Sequence, residues 1–119
     1  MKVNQIVVNI NSERPEELVR FYRDVIGMEP RFDIIPGSFA AGGEIALIIE
    51  SHSDVRGAAK EPARAIVNLV VDDAAEECRR LEQAGVTSVR PLYEEPGAGL
   101  FATFADPDGN LVQLVELRM

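Results

Sequence analysis

This 119-residue sequence contains one histidine, His52, and one cysteine, Cys78. Very few of its residues could therefore bind a transition metal or serve as the base or thiol of nucleophilic catalysis. Zinc, nickel, copper and non-haem iron sites usually take two or more His or Cys ligands. A Ser/His/Asp or Cys/His arrangement would have to use His52 as its base. The sequence therefore argues against both kinds of site, while its 20 acidic residues leave an oxygen-ligand site for magnesium or calcium open.

The charge balance limits the partners that we expect. Twelve Lys and Arg residues against 20 acidic residues give a net charge of -8, which repels nucleic acid and anionic lipid headgroups. The same balance favours a cationic or neutral organic ligand. No apolar run approaches the roughly 18 residues of a membrane span, and the first residues do not have the pattern of a signal peptide. We expect a cytoplasmic protein with no nucleic-acid or membrane partner.

The first half of the chain has the pattern of one strand, one helix and three strands. Residues 2–11 are rich in Val and Ile and predict a strand. Ser12 is the predicted N-cap of a helix, Pro15 suits its first turn, and Gly27 ends it. Three short apolar runs follow at 31–35, 39–41 and 45–49, separated by Pro-Gly and Gly-Gly turns, and they predict a three-stranded meander.

The second half repeats this order. It predicts a strand over 65–71, a helix that is capped by Asp72 or Asp73 and ends at Gly85, and strands near 88–93, 100–105 and 111–117. Residues 52–64 are polar and are predicted to be a linker. We therefore expect a single domain made of module one (1–51), this linker, and module two (65–119), since each module has a sheet face to bury.

Three segments of the sequence resemble a known family. FYRDVIGM (21–28) closes the first helix, VDD (71–73) opens a second helix that ends in QAGV (83–86), and FADPDGN (104–110) leads into the last strand. In this order they are similar to the vicinal oxygen chelate superfamily, which includes glyoxalase I, extradiol dioxygenases and the bleomycin resistance proteins. The resemblance covers essentially the whole chain. It implies an α+β fold of two βαβββ modules whose curled mixed sheets form a cup, usually completed in a homodimer.

The resemblance also implies where a metal would be held. Enzymes of this superfamily chelate a divalent metal with His and Glu side chains from the first and last strands of each module. Carried over one at a time, these positions fall on Gln5, on or near Leu47, on Ile66 and on Gln113. Neutral amide oxygens are weak ligands for a transition metal, and Leu and Ile cannot donate at all. We expect no metal site of the family's kind and no other cofactor.

Several residues, including two at the implied metal positions, are candidates for ligand binding in the implied cup. Gln5 and Gln113 could present amide groups to a ligand, and Asn68 shares a strand face with Ile66, as Asn9 does with Gln5. Phe101 and Tyr93 could stack on a flat organic ligand. Phe39 and Phe104 are further aromatic candidates on the same strands. The alternative is that the amides bond each other or water and that the rings pack in the core.

The leading hypothesis is a metal-independent small-molecule binding protein of the glyoxalase/bleomycin resistance type, which would sequester a drug or metabolite. Its expected partners are a small organic ligand and a second copy of the chain. The alternative is a lyase, isomerase or dioxygenase-like enzyme with a non-standard site that uses Glu50, Glu116 or His52 in acid–base catalysis. A third possibility is an assembly module. Cys78 lies on an apolar helix stripe and is predicted to be a buried, inert thiol.

Overall fold

Each half of the chain builds its own four-stranded sheet. A computed structural model describes residues 1–118. It divides the chain into one compact unit, Met1–Gly57, and a second that begins at Ala58; we call them unit 1 and unit 2. Within residues 1–118 no helix has the length and apolar character that a membrane span needs.

Unit 1 contains strands β1 (Val8–Asn11), β2 (Glu29–Pro30), β3 (Ser38–Ala41) and β4 (Glu44–Glu50), in the sheet order β1-β4-β3-β2. β1 is parallel to β4, and the other pairs are antiparallel. Helix α1 (Pro15–Arg20) continues into a π-helical segment, Phe21–Ile26. Gly27 ends that segment as predicted, in the left-handed conformation that glycine adopts readily.

Unit 2 repeats this arrangement. A short 3-10 turn (Pro62–Arg64) precedes β5 (Ile66–Val70), α2 (Ala74–Gln83), β6 (Ser88–Glu95), β7 (Gly99–Ala105) and β8 (Leu111–Leu117). The sheet order is β5-β8-β7-β6, with β5 parallel to β8. Asp73 caps α2 by accepting a hydrogen bond from the Glu76 N–H. The prediction of two βαβββ modules with mixed sheets is confirmed.

Unit 1 differs from the predicted elements in three places. The first strand begins at Val8 rather than at residue 2. Residues 31–35 form turns rather than a strand, because the Ile34 and Ile35 N–H groups donate to the Arg31 carbonyl. The N-cap position is Arg14 and not Ser12, whose buried hydroxyl instead accepts a hydrogen bond from the Arg14 N–H at 3.0 Å.

Each sheet has one closed face, covered by the helix of its unit, and one open face. In unit 1 the closed face carries the buried Leu47, Ile49 and Phe39. In unit 2 it carries Val112, Leu114, Ala102 and Phe104, and the buried stripe of α2 packs there. Side chains at alternating positions point to the open faces.

Cys78 belongs to the buried stripe of α2, together with Ala74 and Leu81. Burial raises the pKa of its thiol, and the nearby Glu82 and Glu77 carboxylates raise it further. A thiol that resists ionisation is a poor nucleophile. The prediction of a buried thiol at Cys78 is confirmed.

Gly99 should tolerate no side chain. Its φ is +145°, and a Cβ there would lie 2.0 Å from the Glu116 carbonyl oxygen. Gly97 in the preceding turn has φ +81° but nothing within 4 Å of a Cβ. We expect Gly99→Ala to lower the free energy of unfolding by about 3 kcal/mol and Gly97→Ala by about 1 kcal/mol, as measured by urea denaturation. Equal losses would contradict the close approach at Gly99.

Candidate functional site

A row of polar side chains crosses the open face of the unit 2 sheet. The cross-strand register pairs Gln113 with Asn68 on one side and with Thr103 on the other, and Thr103 with Arg90. The row therefore runs through all four strands. We call it the polar row: Arg90, Thr103, Gln113 and Asn68.

Beside the polar row lies a second row on the same open face, made of aromatic and aliphatic side chains. Tyr93 pairs with Phe101, Phe101 with Val115, and Val115 with Val70. The Tyr93 and Phe101 rings are stacked, with centroids 5.8 Å apart and planes 28° apart. We call this the aromatic row: Tyr93, Phe101, Val115 and Val70.

Arg90 joins the two rows. Its guanidinium carbon lies 3.6 Å from the centroid of the Tyr93 ring, which is a cation–π contact. β6 is irregular on both sides of Arg90, and the register to β7 shifts between Ser88 and Arg90 and again before Tyr93. These irregularities place Arg90 and Tyr93, three residues apart, on one face.

The polar row is partly held in place by its own hydrogen bonds. The Gln113 Nε2 donates to the Thr103 hydroxyl oxygen at 3.3 Å. Thr103 is buried and Gln113 half-buried, whereas Asn68 and Arg90 are exposed. The open face thus combines two stacked rings with orienting polar groups, which is the composition of a small-molecule binding site.

The structure brings together four of the five predicted ligand-binding residues, namely Gln113, Asn68, Phe101 and Tyr93. Gln5 lies in unit 1, ahead of β1, and is exposed. Its Nε2 donates to the Ile45 carbonyl at 2.7 Å, so its amide nitrogen fastens the N-terminal segment to β4. The amide nitrogens of Gln5 and Gln113 therefore each bond a group in their own unit, rather than each other.

The expectation that Leu47 points to the open side is wrong. Leu47 is 3% exposed and lies on the closed face, where it pairs with Val8 and Phe39. The neighbouring positions of β4 point the other way, and they are Ala46, Ile48 and Glu50. Ile66, in unit 2, does lie on the open face, since it is two residues from Asn68.

The residues at the family's metal positions do not fit a divalent metal. Neither Ala46 nor Ile48 has a donor atom that could replace Leu47. Glu50 has a carboxylate, but its Oε2 accepts a hydrogen bond from Asn9 Nδ2 at 2.6 Å. Among residues 1–118 no group of three or more His, Cys, Asp or Glu side chains is placed to hold a metal ion.

Two of the aromatic candidates belong to the core rather than to an open face. Phe39 and Phe104 are 0% and 1% exposed and lie on the closed faces of their sheets. Phe39 also makes an edge contact with Phe32, with ring centroids 5.6 Å apart. For these two rings the alternative of core packing is therefore the one observed, because the closed faces bury them under the helices.

All three predicted acid–base candidates have local hydrogen-bond partners, that of Glu50 being Asn9. The Glu116 Oε1 accepts a hydrogen bond from the Ala74 N–H at 3.0 Å, at the start of α2 on the closed face. The His52 Nδ1 accepts from the Asp54 N–H at 3.1 Å in an exposed turn. Of the three, only Glu50 lies on an open face.

Arg90 and Thr103 belong to the polar row but were not predicted from the sequence to lie at the site. Their signal was weak because Pro91 and the irregular register of β6 break the period of two that normally identifies a strand face. Thr103 gave no clear signal because its sequence neighbours, Ala102 and Phe104, are apolar residues that are buried on the opposite face.

A groove of about 590 Å³ lies in unit 1, between α1 and the end of β4. Arg20, Arg23, Glu16 and Glu50 contribute charges of both signs, and Arg23 is already paired with Asp24 at 2.7 Å. That pairing raises the pKa of Arg23 and lowers the pKa of Asp24. None of the groove's side chains is a buried polar group. We assign no ligand to it.

Comparison with known families gives one match. The model of the Glyoxalase/Bleomycin resistance protein/Dioxygenase superfamily matches residues 2–114. No curated protein matches the sequence significantly.

Solved structures with the same fold cover nearly the whole chain. A member of the Glyoxalase/bleomycin resistance protein/dioxygenase superfamily from Sphaerobacter thermophilus DSM 20745 is 24% identical, with a TM-score of 0.75 over 96% of this chain and 98% of that one. TnmS3, an antibiotic binding protein from Streptomyces sp. CB03234, is 22% identical, with a TM-score of 0.73 over 99% of both chains. A lactoylglutathione lyase from Agrobacterium tumefaciens is 21% identical, with a TM-score of 0.69 over 97% of this chain and 94% of that one. At these identities the likeness shows the fold alone.

Proposed function

The chain belongs to the glyoxalase/bleomycin resistance protein/dioxygenase superfamily, and we propose that it is a metal-independent binding protein for a small organic molecule. The observation that carries this proposal is the pairing of an aromatic row with a polar row on one open sheet face. A structure with the same fold, TnmS3, is an antibiotic binding protein. Sequestration of a drug or metabolite is the corresponding role for this chain.

In this proposal the aromatic row stacks on the ligand and the polar row forms hydrogen bonds with it. The stacked Tyr93 and Phe101 rings, with the Arg90 guanidinium over Tyr93, offer planar groups for a flat ligand to pack against, and ring–ring contacts contribute about 0.5–1.5 kcal/mol beyond the burial of apolar area. The polar row orients the ligand through hydrogen bonds. Gln113 is held in place by its hydrogen bond to Thr103.

The donor chemistry supports binding without a metal. A catalytic metal in this family is held by His and Glu, as the resemblance implies, but the corresponding positions carry amides and aliphatic side chains. Gln113 is an amide on the open face, and its nitrogen is directed to Thr103. Such a group serves better to hydrogen-bond an organic ligand than to ligate a cation.

The alternative, a lyase, isomerase or dioxygenase-like enzyme, has less support. A lactoylglutathione lyase shares the fold, so the fold is compatible with catalysis. The local partners of Glu116 and His52 give both residues structural roles. Glu50 is exposed, and its described hydrogen bond is to the neutral amide of Asn9.

We also propose that the protein is a homodimer. β1 and β5 are edge strands of their sheets, and both carry exposed aliphatic side chains: Val8 is 46% exposed and Val70 is 63% exposed. An edge strand with exposed apolar residues readily pairs with another chain. Edge pairing with a second copy would cover these groups.

The Tyr93 ring should contribute to ligand affinity. Compounds that raise the melting temperature in a screen of aromatic drugs and metabolites identify ligands, because binding to the folded state stabilises it. For such a ligand we expect Tyr93→Leu to weaken binding by about 3–10-fold, from the loss of ring stacking. Tyr93→Phe keeps the ring and is the matched control. Unchanged affinity in Tyr93→Leu would exclude the aromatic row as the site.

Purified protein incubated with zinc, manganese or iron salts and then desalted should retain well under one metal ion per chain, as measured by elemental analysis. The reason is the absence of His and carboxylate ligands at the family's metal positions. Stoichiometric, tight retention of any of these metals would contradict metal independence.

Sedimentation equilibrium should give a mass twice the 13.1 kDa of one chain. Val70→Asp places a charge on the β5 edge and should shift the protein toward the monomer. Val89→Asp changes an exposed valine of β6, at the other edge of the same sheet, and is the control. A wild-type protein that sediments as a monomer would refute the homodimer.

A further inference from the structure

The polar row has a donor-only group at one end. A guanidinium has five N–H donors and no acceptor, whereas each amide group has two N–H donors and an acceptor oxygen. The Gln113 Nε2 already donates to the Thr103 hydroxyl oxygen. A ligand that satisfies Arg90 must therefore supply acceptor oxygens or nitrogens.

The two rows also lack negative charge. Of their eight positions, only Arg90 carries a formal charge, and it is positive. The nearest acidic position on this face of β6 is Glu95, two residues beyond Tyr93 at the end of the strand, while Glu94 points to the other face and is paired with Arg118 at 3.4 Å. Within the two rows themselves, the charge therefore has the opposite sign to the net charge of -8.

Arg90 is placed to act on a stacked ligand. Its guanidinium lies over the Tyr93 ring, and a guanidinium in that position keeps the N–H groups at its edge available for a second partner. A planar ligand on the aromatic row would bring its polar edge beside this group. Charge-assisted hydrogen bonds of a guanidinium to a carboxylate or phenolate are about twice as strong as neutral ones.

We infer that Arg90 is a specificity-determining residue, which selects planar aromatic ligands that carry a carboxylate, phenolate or similar acceptor group over cationic ones. This inference rests on the proposed function. It replaces the sequence-based expectation of a cationic or neutral ligand, because charges within a Debye length of about 8 Å dominate over the distant net charge at physiological salt.

Three probes with the same ring separate charge from stacking: 2-naphthoate is an anion, 2-naphthamide is neutral, and 2-naphthylmethylammonium is a cation. Dissociation constants are measured by NMR titration of the wild-type protein at pH 7.5. We expect 2-naphthoate to bind at least about tenfold more tightly than the cation, and 2-naphthamide to lie between them.

Arg90→Gln should remove this preference. We expect its affinity for 2-naphthoate to fall by about tenfold and its affinity for 2-naphthamide to change by less than about threefold. Arg79→Gln makes the same change of charge on α2, where the exposed Arg79 is paired with Glu76, and should keep the preference. This control separates the position of the charge from its contribution to the net charge.

Equal affinity of the wild type for the anion and the cation would overturn the role of Arg90, as would an unchanged preference in Arg90→Gln. In both cases the rings still bind, so the proposed function stands. The inference also fails if none of the three probes binds. The proposed function fails separately, if the thermal screen yields no ligand whose affinity depends on Tyr93.

Discussion

Each sheet of this protein has two faces but only one helix to cover them. Since successive side chains of a strand point to opposite faces, burial under the helix selects every second residue for the core. Leu47, Ile49, Val112 and Leu114 are the residues so selected. The intervening positions point away from the helix, and in unit 2 Asn68, Gln113, Tyr93 and Phe101 among them keep exposed surface, whereas Thr103 and Val115 are buried. The composition of these uncovered positions determines what the protein can bind.

In unit 2 the uncovered positions are not a random polar surface. Their alignment in two adjacent rows follows from the register of the four strands, which places Gln113 between Asn68 and Thr103, and Phe101 between Tyr93 and Val115. The rows give the sheet a stacking surface with a hydrogen-bonding edge. The positive charge of Arg90 is local, so it can act on a ligand even though the protein as a whole is acidic.

Several features of the fold and site could be predicted from residue patterns. The Gly27 and Gly85 helix ends follow from the ease with which glycine adopts a positive φ, and the repeated element order and the shared face of Ile66 and Asn68 follow from local periodicity. The sequence comparison assigned a family metal position to Leu47 or a residue near it, but Leu47 lies on the closed face. A comparison of two strands by sequence can slip by one residue, and a slip of one residue exchanges the two faces. The register between β3 and β4 also shifts at this point, since Phe39 pairs with Leu47 and Ala40 with Ile45, which leaves one extra residue on β4.

The sequence by itself determined the family, the two-module fold and the scarcity of metal ligands, because each depends on residue types and on spacing along the chain. Only the tertiary structure decided which side chains share a face. The Arg90 guanidinium lies over Tyr93 because β6 is irregular between them, and Glu116 caps α2 because β8 ends beside the start of that helix. Both contacts depend on hydrogen-bond register between strands, which no local pattern of residues specifies.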